Sequence, residues 1–169
     1  VQANAAGALQ SICYQKEGRG VVRENGALQA LVPLLSSPSI KVQTRATGAM
    51  HNLSSDADAI RIIRRLRGVP PLVSLLNAPS AAICASAAGA LQNVSRELAA
   101  ADEALRLGAV VPLTGLLFAG DVQVQVSAAG ALLNVLSTKL GSDSQKASLK
   151  RLLSVGLTLG ALHTSIHQS

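Results

Sequence analysis

The 169-residue sequence contains no tryptophan, one tyrosine (Tyr14) and one phenylalanine (Phe118). Hydrophobic residues still make up 49% of it, so its apolar content is alanine, leucine and valine. A β-sandwich core draws on aromatic and β-branched strands, whereas small residues interleaved with leucine suit close-packed helices. Two isolated aromatic rings also leave no stacking platform for single-stranded nucleic acid. Cysteine is scarce too. Cys13 and Cys84 cannot build a disulfide framework, and both read as small core residues of a protein kept in a reducing compartment. No apolar run reaches the roughly 18 residues of a membrane span, and no N-terminal secretory signal is visible.

Catalytic and ligand-binding patterns are equally sparse. There is no P-loop, no GxGxxG following a strand and no cluster of carboxylates. Neither cysteine has a histidine at a predictable position beside it. His163 and His167 lie four apart on one helical face, but no third ligand accompanies them, so no metal site is expected. Neither a cofactor nor an enzymatic activity is expected. Asn52–Leu53–Ser54 and Asn93–Val94–Ser95 have the form of glycosylation acceptors and read as accidents of a repeat.

That repeat is the dominant feature. GALQSI at 7–12, GAMHNL at 48–53, GALQNV at 89–94 and GALLNV at 130–135 begin at glycines spaced 41 residues apart. A fixed period of roughly 20–50 residues marks a stacked architecture whose units cannot bury their apolar faces alone. Each unit splits into three helices. DADAIRIIRRLR follows a capping Asp56 or Asp58, VPPLVSLLN carries Pro70 and Pro71 in its first turn, and AAICASAAGALQNVS starts after the break at Ala78–Ser80. Gly26, Gly68, Gly108 and Gly156 are expected to end the first helices. The division is a partial unit at 1–14, units at 15–55, 56–95 and 96–137, and a partial unit at 138–169 with a polar loop near 141–146. The chain starts at Val1 inside a repeat, which reads as a piece of a longer array.

In each third helix, residues three, four and seven apart share a face. One stripe is apolar: Val42, Ala46, Ala49 and Leu53 in one unit, and Ile83, Ala87, Leu91 and Val94 in the next. The opposite stripe is Lys41, Arg45, Gly48 and Asn52, then Ala82, Ser86, Gly89 and Asn93, then Gln123, Ser127, Gly130 and Asn134. In the first partial unit it is Asn4, Gly7 and Ser11. This second stripe is expected to face solvent.

The three-helix unit, the second helix GALQALVPLL at 26–35 and the third helix closing on Asn-(Leu/Val) resemble armadillo repeats over nearly the whole chain. RRLRGVPPLVSLL at 64–76, followed by GALQNV, is similar to the repeats of plakophilin-type catenins. The resemblance implies an all-α, right-handed solenoid whose third helices line a groove. In the family the closing Asn bonds the main chain of a bound extended peptide, a role that falls here on Asn52, Asn93 and Asn134. An amide has a donor and an acceptor and can pair with both backbone groups of a peptide residue. His51 adjoins this row as a contact residue.

The resemblance has one informative departure. Import receptors of the family carry tryptophan one turn before the Asn, where this chain has Gly48, Gly89 and Gly130. Without indoles there are no slots for lysine stems, which disfavours recognition of a nuclear-import signal. Glycine there implies either a shallow groove floor or simply tight helix packing.

The formal net charge is +6. Lys41 and Arg45 lie on the groove stripe. Arg61, Arg64, Arg65 and Arg67 cluster on a first helix, and Lys146, Lys150 and Arg151 form a third group that reads as a solvated face. The expected function is a non-enzymatic scaffold binding an extended or helical, acidic or amphipathic segment of a partner protein in the groove lined by the third helices, in the cytoplasm, the nucleus or at cell junctions. A nucleic-acid binder using the basic clusters is the alternative, disfavoured because the clusters are in pieces. Apolar faces at the array ends predict self-association.

Overall fold

The computed structural model describes residues 1–140, 143, 145, 147–151, 153 and 154. Among them the chain is helical throughout, with no strand: α1 Gln2–Ile12, α2 Lys16–Glu24, α3 Ala27–Leu34, α4 Ile40–Leu53, α5 Ala57–Arg65, α6 Val69–Leu75, α7 Ala81–Val94, α8 Leu98–Arg106, α9 Val110–Leu116 and α10 Val122–Ser137. Three consecutive triplets, α2–α4, α5–α7 and α8–α10, repeat one design. The third helices α1, α4, α7 and α10 stack side by side in order. The expected loop residues Gly141, Ser142, Ser144 and Lys146, as well as Gly156, His163 and His167, lie outside the described residues.

Local chemistry sets the boundaries. Asp56 caps α5 by accepting from Asp58 N at 2.8 Å, and Asp121 caps α10 by accepting from Gln123 N at 2.7 Å. Each satisfies a backbone donor that has no partner inside its helix. The core is one continuous cluster between the layers. Leu28, Leu31, Met50, Leu53, Ile63, Leu72, Ile83 and Leu113 are fully buried within it. Every member of the two apolar stripes read from the sequence is buried. At the N-terminal end of the described residues, α1 stacks on α4. Ile12 is 48% exposed there, while its counterparts Leu53 and Val94 are fully buried.

One helix end departs from the expectation. Gly26 and Gly108 take the left-handed conformation at φ 73° and 79°, as a helix-ending glycine should. Gly68 does not: its φ is −75°. The left-handed residue is Arg67, at φ 61°. Gly26, Arg67 and Gly108 are spaced by 41 residues, so Arg67 occupies the periodic position and Gly68 is one place beyond it. A left-handed conformation costs a side-chain-bearing residue about 1–2 kcal/mol. Arg67 keeps only a 3.5 Å ion pair with Glu103, its side chain 78% exposed, and such pairs contribute little. Arg67→Gly is therefore expected to raise stability by about 1 kcal/mol, read as a higher urea midpoint with an unchanged slope.

A second periodic device ties the helices of each triplet together. Gln43, Cys84 and Gln125 are one period apart. Gln43 donates to the Leu35 carbonyl at 2.9 Å and Gln125 to the Ala119 carbonyl at 2.6 Å. The Cys84 thiol lies 3.3 Å from the Leu76 carbonyl and 3.1 Å from that of Ala78. Each satisfies carbonyls left open where the second helix ends. Both cysteines are buried and unpaired. Burial pushes the Cys13 thiol up to about 11, against a smaller opposing pull from Arg19, so it is protonated at neutral pH.

Candidate peptide-binding face

The face built by α1, α4, α7 and α10 carries the three closing asparagines, all half-buried. Their amides reach back to the preceding unit. Asn52 Nδ2 donates to the Gln10 carbonyl at 2.9 Å. Asn93 Nδ2 donates to Ser54 Oγ at 3.1 Å. Asn134 Nδ2 donates to both the Gln92 carbonyl at 3.0 Å and Ser95 Oγ at 3.2 Å. Each Asn thus binds the C-terminal end of the third helix before it. Ser54 and Ser95, which receive these bonds, are buried and occupy equivalent positions one period apart. These bonds orient the amides, and no hydrogen bond from a described residue ends on their Oδ1 atoms.

The glycine stripe corrects an expectation. Gly48 and Gly89 are buried rather than solvent-facing, and Ser127 is 4% exposed. A side chain of the preceding unit lies over each glycine: Gln10 over Gly48, His51 over Gly89 and Gln92 over Gly130. In all three places an added Cβ would fall inside van der Waals contact. The glycines are therefore seats for side chains rather than a bare groove floor. Gln10, His51 and Gln92 stand one period apart, immediately before the residues Ser11, Asn52 and Asn93. Of the other stripe residues, Ser11 is exposed and donates to the Gly7 carbonyl at 3.1 Å, and Ser86 is half-buried.

His51 is the titratable member of that row. Burial lowers its pKa below the usual 6.5. It lines a small depression of about 130 Å³ with Ser86, Asp121, Gln123 and Ser127. A lowered folded value means the neutral ring is favoured in the fold. Its stabilising contribution is complete above about pH 6.5 and is lost as pH falls through the lowered folded value. His51→Gln is expected to flatten that acid-side decline, read from denaturation midpoints at several pH values.

The positive charge on this face lies at its N-terminal end. Lys41 and Arg45 are both exposed. They line a depression of about 400 Å³ with Ala3, Asn4, Gly7, Ala8 and Ser11. The Arg45 stem lies over Gly7, and its guanidinium is 3.4 Å from Gln10 Oε1.

The arginine cluster of α5 is arranged differently. Arg64 donates to Glu97 at 2.7 Å, Arg61 lies 3.4 Å from Asp58 and Arg67 3.5 Å from Glu103. Arg23 repeats the Arg64 contact one unit earlier, donating to Asp56 at 2.5 Å. Arg23 and Arg64, and likewise Asp56 and Glu97, are 41 residues apart, so this is a unit-to-unit ladder. Three of the four clustered arginines are thereby engaged within the chain, and Arg65 stays exposed. Lys150 and Arg151 of the third basic group are exposed. Among the described residues no three His, Cys, Asp or Glu side chains form a metal-holding group. No helix there is long and apolar enough to cross a membrane.

Comparison with known proteins agrees with this architecture. The Armadillo/beta-catenin-like repeat family model matches residues 15–55 and 56–96. The chain belongs to the armadillo-repeat family. An engineered protein of known crystal structure is 31% identical with a TM-score of 0.72, over 96% of this chain and 64% of that one. A computationally designed armadillo repeat protein for modular peptide recognition is 27% identical with a TM-score of 0.73, over 96% of this chain and 65% of that one. The chain thus spans just under two thirds of the length of both. A designed armadillo repeat protein in complex with the peptide (KR)4 is 22% identical with a TM-score of 0.70, over 95% of this chain and 82% of that one; at that identity it shows a shared fold alone. No curated protein matches the sequence.

Proposed function

We propose that this chain is a non-enzymatic scaffold that holds an acidic segment of a partner protein along the face of α1, α4, α7 and α10. The observation carrying this reading is the pair Lys41 and Arg45, exposed beside Asn4 and Ser11 in one open depression. Exposed cations attract and orient an acidic chain, and the tethered amides of Asn52, Asn93 and Asn134 present acceptors for its backbone N–H groups. The arginines clustered at 61–67 give weaker support to nucleic-acid binding, because three of the four already face carboxylates. An acidic partner also separates this chain from the (KR)4 complex, whose bound peptide is basic.

The test is binding of a fluorescent Asp/Glu-rich peptide and of (KR)4 to the parent chain and to Lys41→Glu/Arg45→Glu. The acidic peptide is expected to bind the parent more tightly and to lose about tenfold on reversal, equivalent to roughly 1.4 kcal/mol. Equal affinity for both peptides, or an affinity unmoved by the reversal, contradicts the reading. The exposed Ile12 of α1 further supports self-association through this apolar side chain. Sedimentation that is independent of concentration would contradict that second mode.

A further inference from the structure

Ser54 and Ser55 adjoin in the turn between α4 and α5, yet their surroundings differ. Ser54 is fully buried, donates to the His51 carbonyl at 2.7 Å and accepts from Asn93. Ser55 is exposed. It stands between two depressions that recur one unit apart and lines both. One, of about 410 Å³, includes Lys16, Arg19, Arg23 and Asp56; the other, of about 380 Å³, includes Arg61, Arg96 and Glu97. Five cations thus line the depressions on either side of this residue, with Arg19 also donating to the Cys13 and Tyr14 carbonyls and Arg96 to the Asn93 carbonyl. Against them stand Glu24, Asp56 and Asp58, which pair with Arg23 or Arg61, and Glu97, which pairs with Arg64. Counted together with Arg64, the local surplus is two positive charges. The chain here reads Ser55–Asp56–Ala57–Asp58, with carboxylates one and three residues after the hydroxyl. Such a charge pattern suits a kinase with a basic substrate cleft.

We propose that Ser55 is a phosphorylation site and that the surrounding cations receive its phosphoryl group. Ser55 Oγ attacks the γ-phosphorus of a nucleoside triphosphate. The Oγ–P bond forms as the bond from γ-phosphorus to the bridging oxygen breaks. The nucleoside diphosphate leaves with that electron pair, and the serine proton passes to the kinase's base. The product carries a charge close to −2, which cancels the local surplus. It also sits just before the N-terminus of the nine-residue helix α5, where negative charge is favoured. Lys16, Arg19 and Arg23 belong to α2, while Arg61 lies on α5 and Arg96 follows α7. The phosphate therefore joins successive units at the edge of the array.

The test is to treat the chain with a purified acid-directed serine kinase and ATP, map the product by mass spectrometry and follow thermal unfolding. One phosphoryl group is expected at Ser55, with incorporation at that peptide lost in Ser55→Ala. The phosphorylated chain is expected to melt about 2–4 °C higher at low ionic strength. The gain is expected to shrink at about 0.5 M salt, where exposed charges are screened, and to vanish in Lys16→Gln/Arg61→Gln. No incorporation at Ser55 overturns the proposal. So does a phosphorylated chain that melts no higher than the unmodified one, or a gain that survives in Lys16→Gln/Arg61→Gln.

Discussion

Gly89→Ala is expected to destabilise the array by about 2 kcal/mol, even though alanine is the better helix former. The cause lies in the unit before it. His51 Nε2, Cε1 and Cδ2 all lie where the new methyl group would need room, and the half-buried ring is rigid. Gly48→Ala meets the amide end of Gln10 instead. A glutamine can rotate its terminal torsions away, so the roughly 1 kcal/mol of helix propensity gained offsets the crowding and the change is expected to be near neutral. The two substitutions are chemically identical and differ in what sits on the seat. His51→Gln, which copies Gln10 and Gln92, is expected to recover most of the loss in Gly89→Ala. Urea denaturation of the two single variants and the double variant measures this coupling directly. A Gly89→Ala chain as stable as the parent would show that the imidazole is not held against the glycine.

The double variant Asn93→Ala/Asn134→Ala is expected to cost about 2–4 kcal/mol. It removes three inter-unit bonds, and Ser54 Oγ and Ser95 Oγ keep only the bonds they donate to the His51 and Gln92 carbonyls. Stability in a linear array is a sum of unit terms and interface terms, so the loss is expected to appear as weakened coupling between units and a broadened unfolding transition. Asn134→Asp keeps the size but replaces the donor by a carboxylate facing a carbonyl, and it is expected to lose at least as much as Asn134→Ala. Unchanged stability in the double variant would remove the asparagines from the inter-unit interface. This structural role also bears on function. Weaker peptide binding after an Asn→Ala change combines a lost contact with a loosened array, whereas Lys41 and Arg45 are exposed and separate the two effects.

Much of the fold was legible because it is local and periodic. The glycine-led phrase fixed the unit length, the break at Ala78–Ser80 separated a second helix from a third, and the residues from Val42 to Leu53 spaced by three and four marked the buried stripe. The helix end at Arg67 was misread because glycine chemistry points to Gly68, while the period points one residue earlier. The glycine stripe was misread for a different reason. Periodicity within one helix places Gly48 and Gly89 on the face opposite the core, but it carries no information on what the neighbouring unit lays across them. Contacts of that kind join residues almost a full period apart. They leave a signal only when the units are aligned column by column. In such an alignment Gln10, His51 and Gln92 share a column, as do Gln43, Cys84 and Gln125. Arg23 and Arg64 align in the same way with their acidic partners Asp56 and Glu97 one column over, so the ladder engages Arg64, while Arg61 and Arg67 pair with Asp58 and Glu103 outside it.

The most direct test of the binding face is a titration of the isotopically labelled chain with an Asp/Glu-rich peptide, followed by nuclear magnetic resonance. The side-chain amide signals of Asn52, Asn93 and Asn134 and the backbone signals of Lys41 and Arg45 are expected to shift together and saturate with one affinity, while those of residues 61–67 stay in place. Shifts confined to residues 61–67, or to α2 and α8, would contradict the account and move the binding surface to the opposite side of the array.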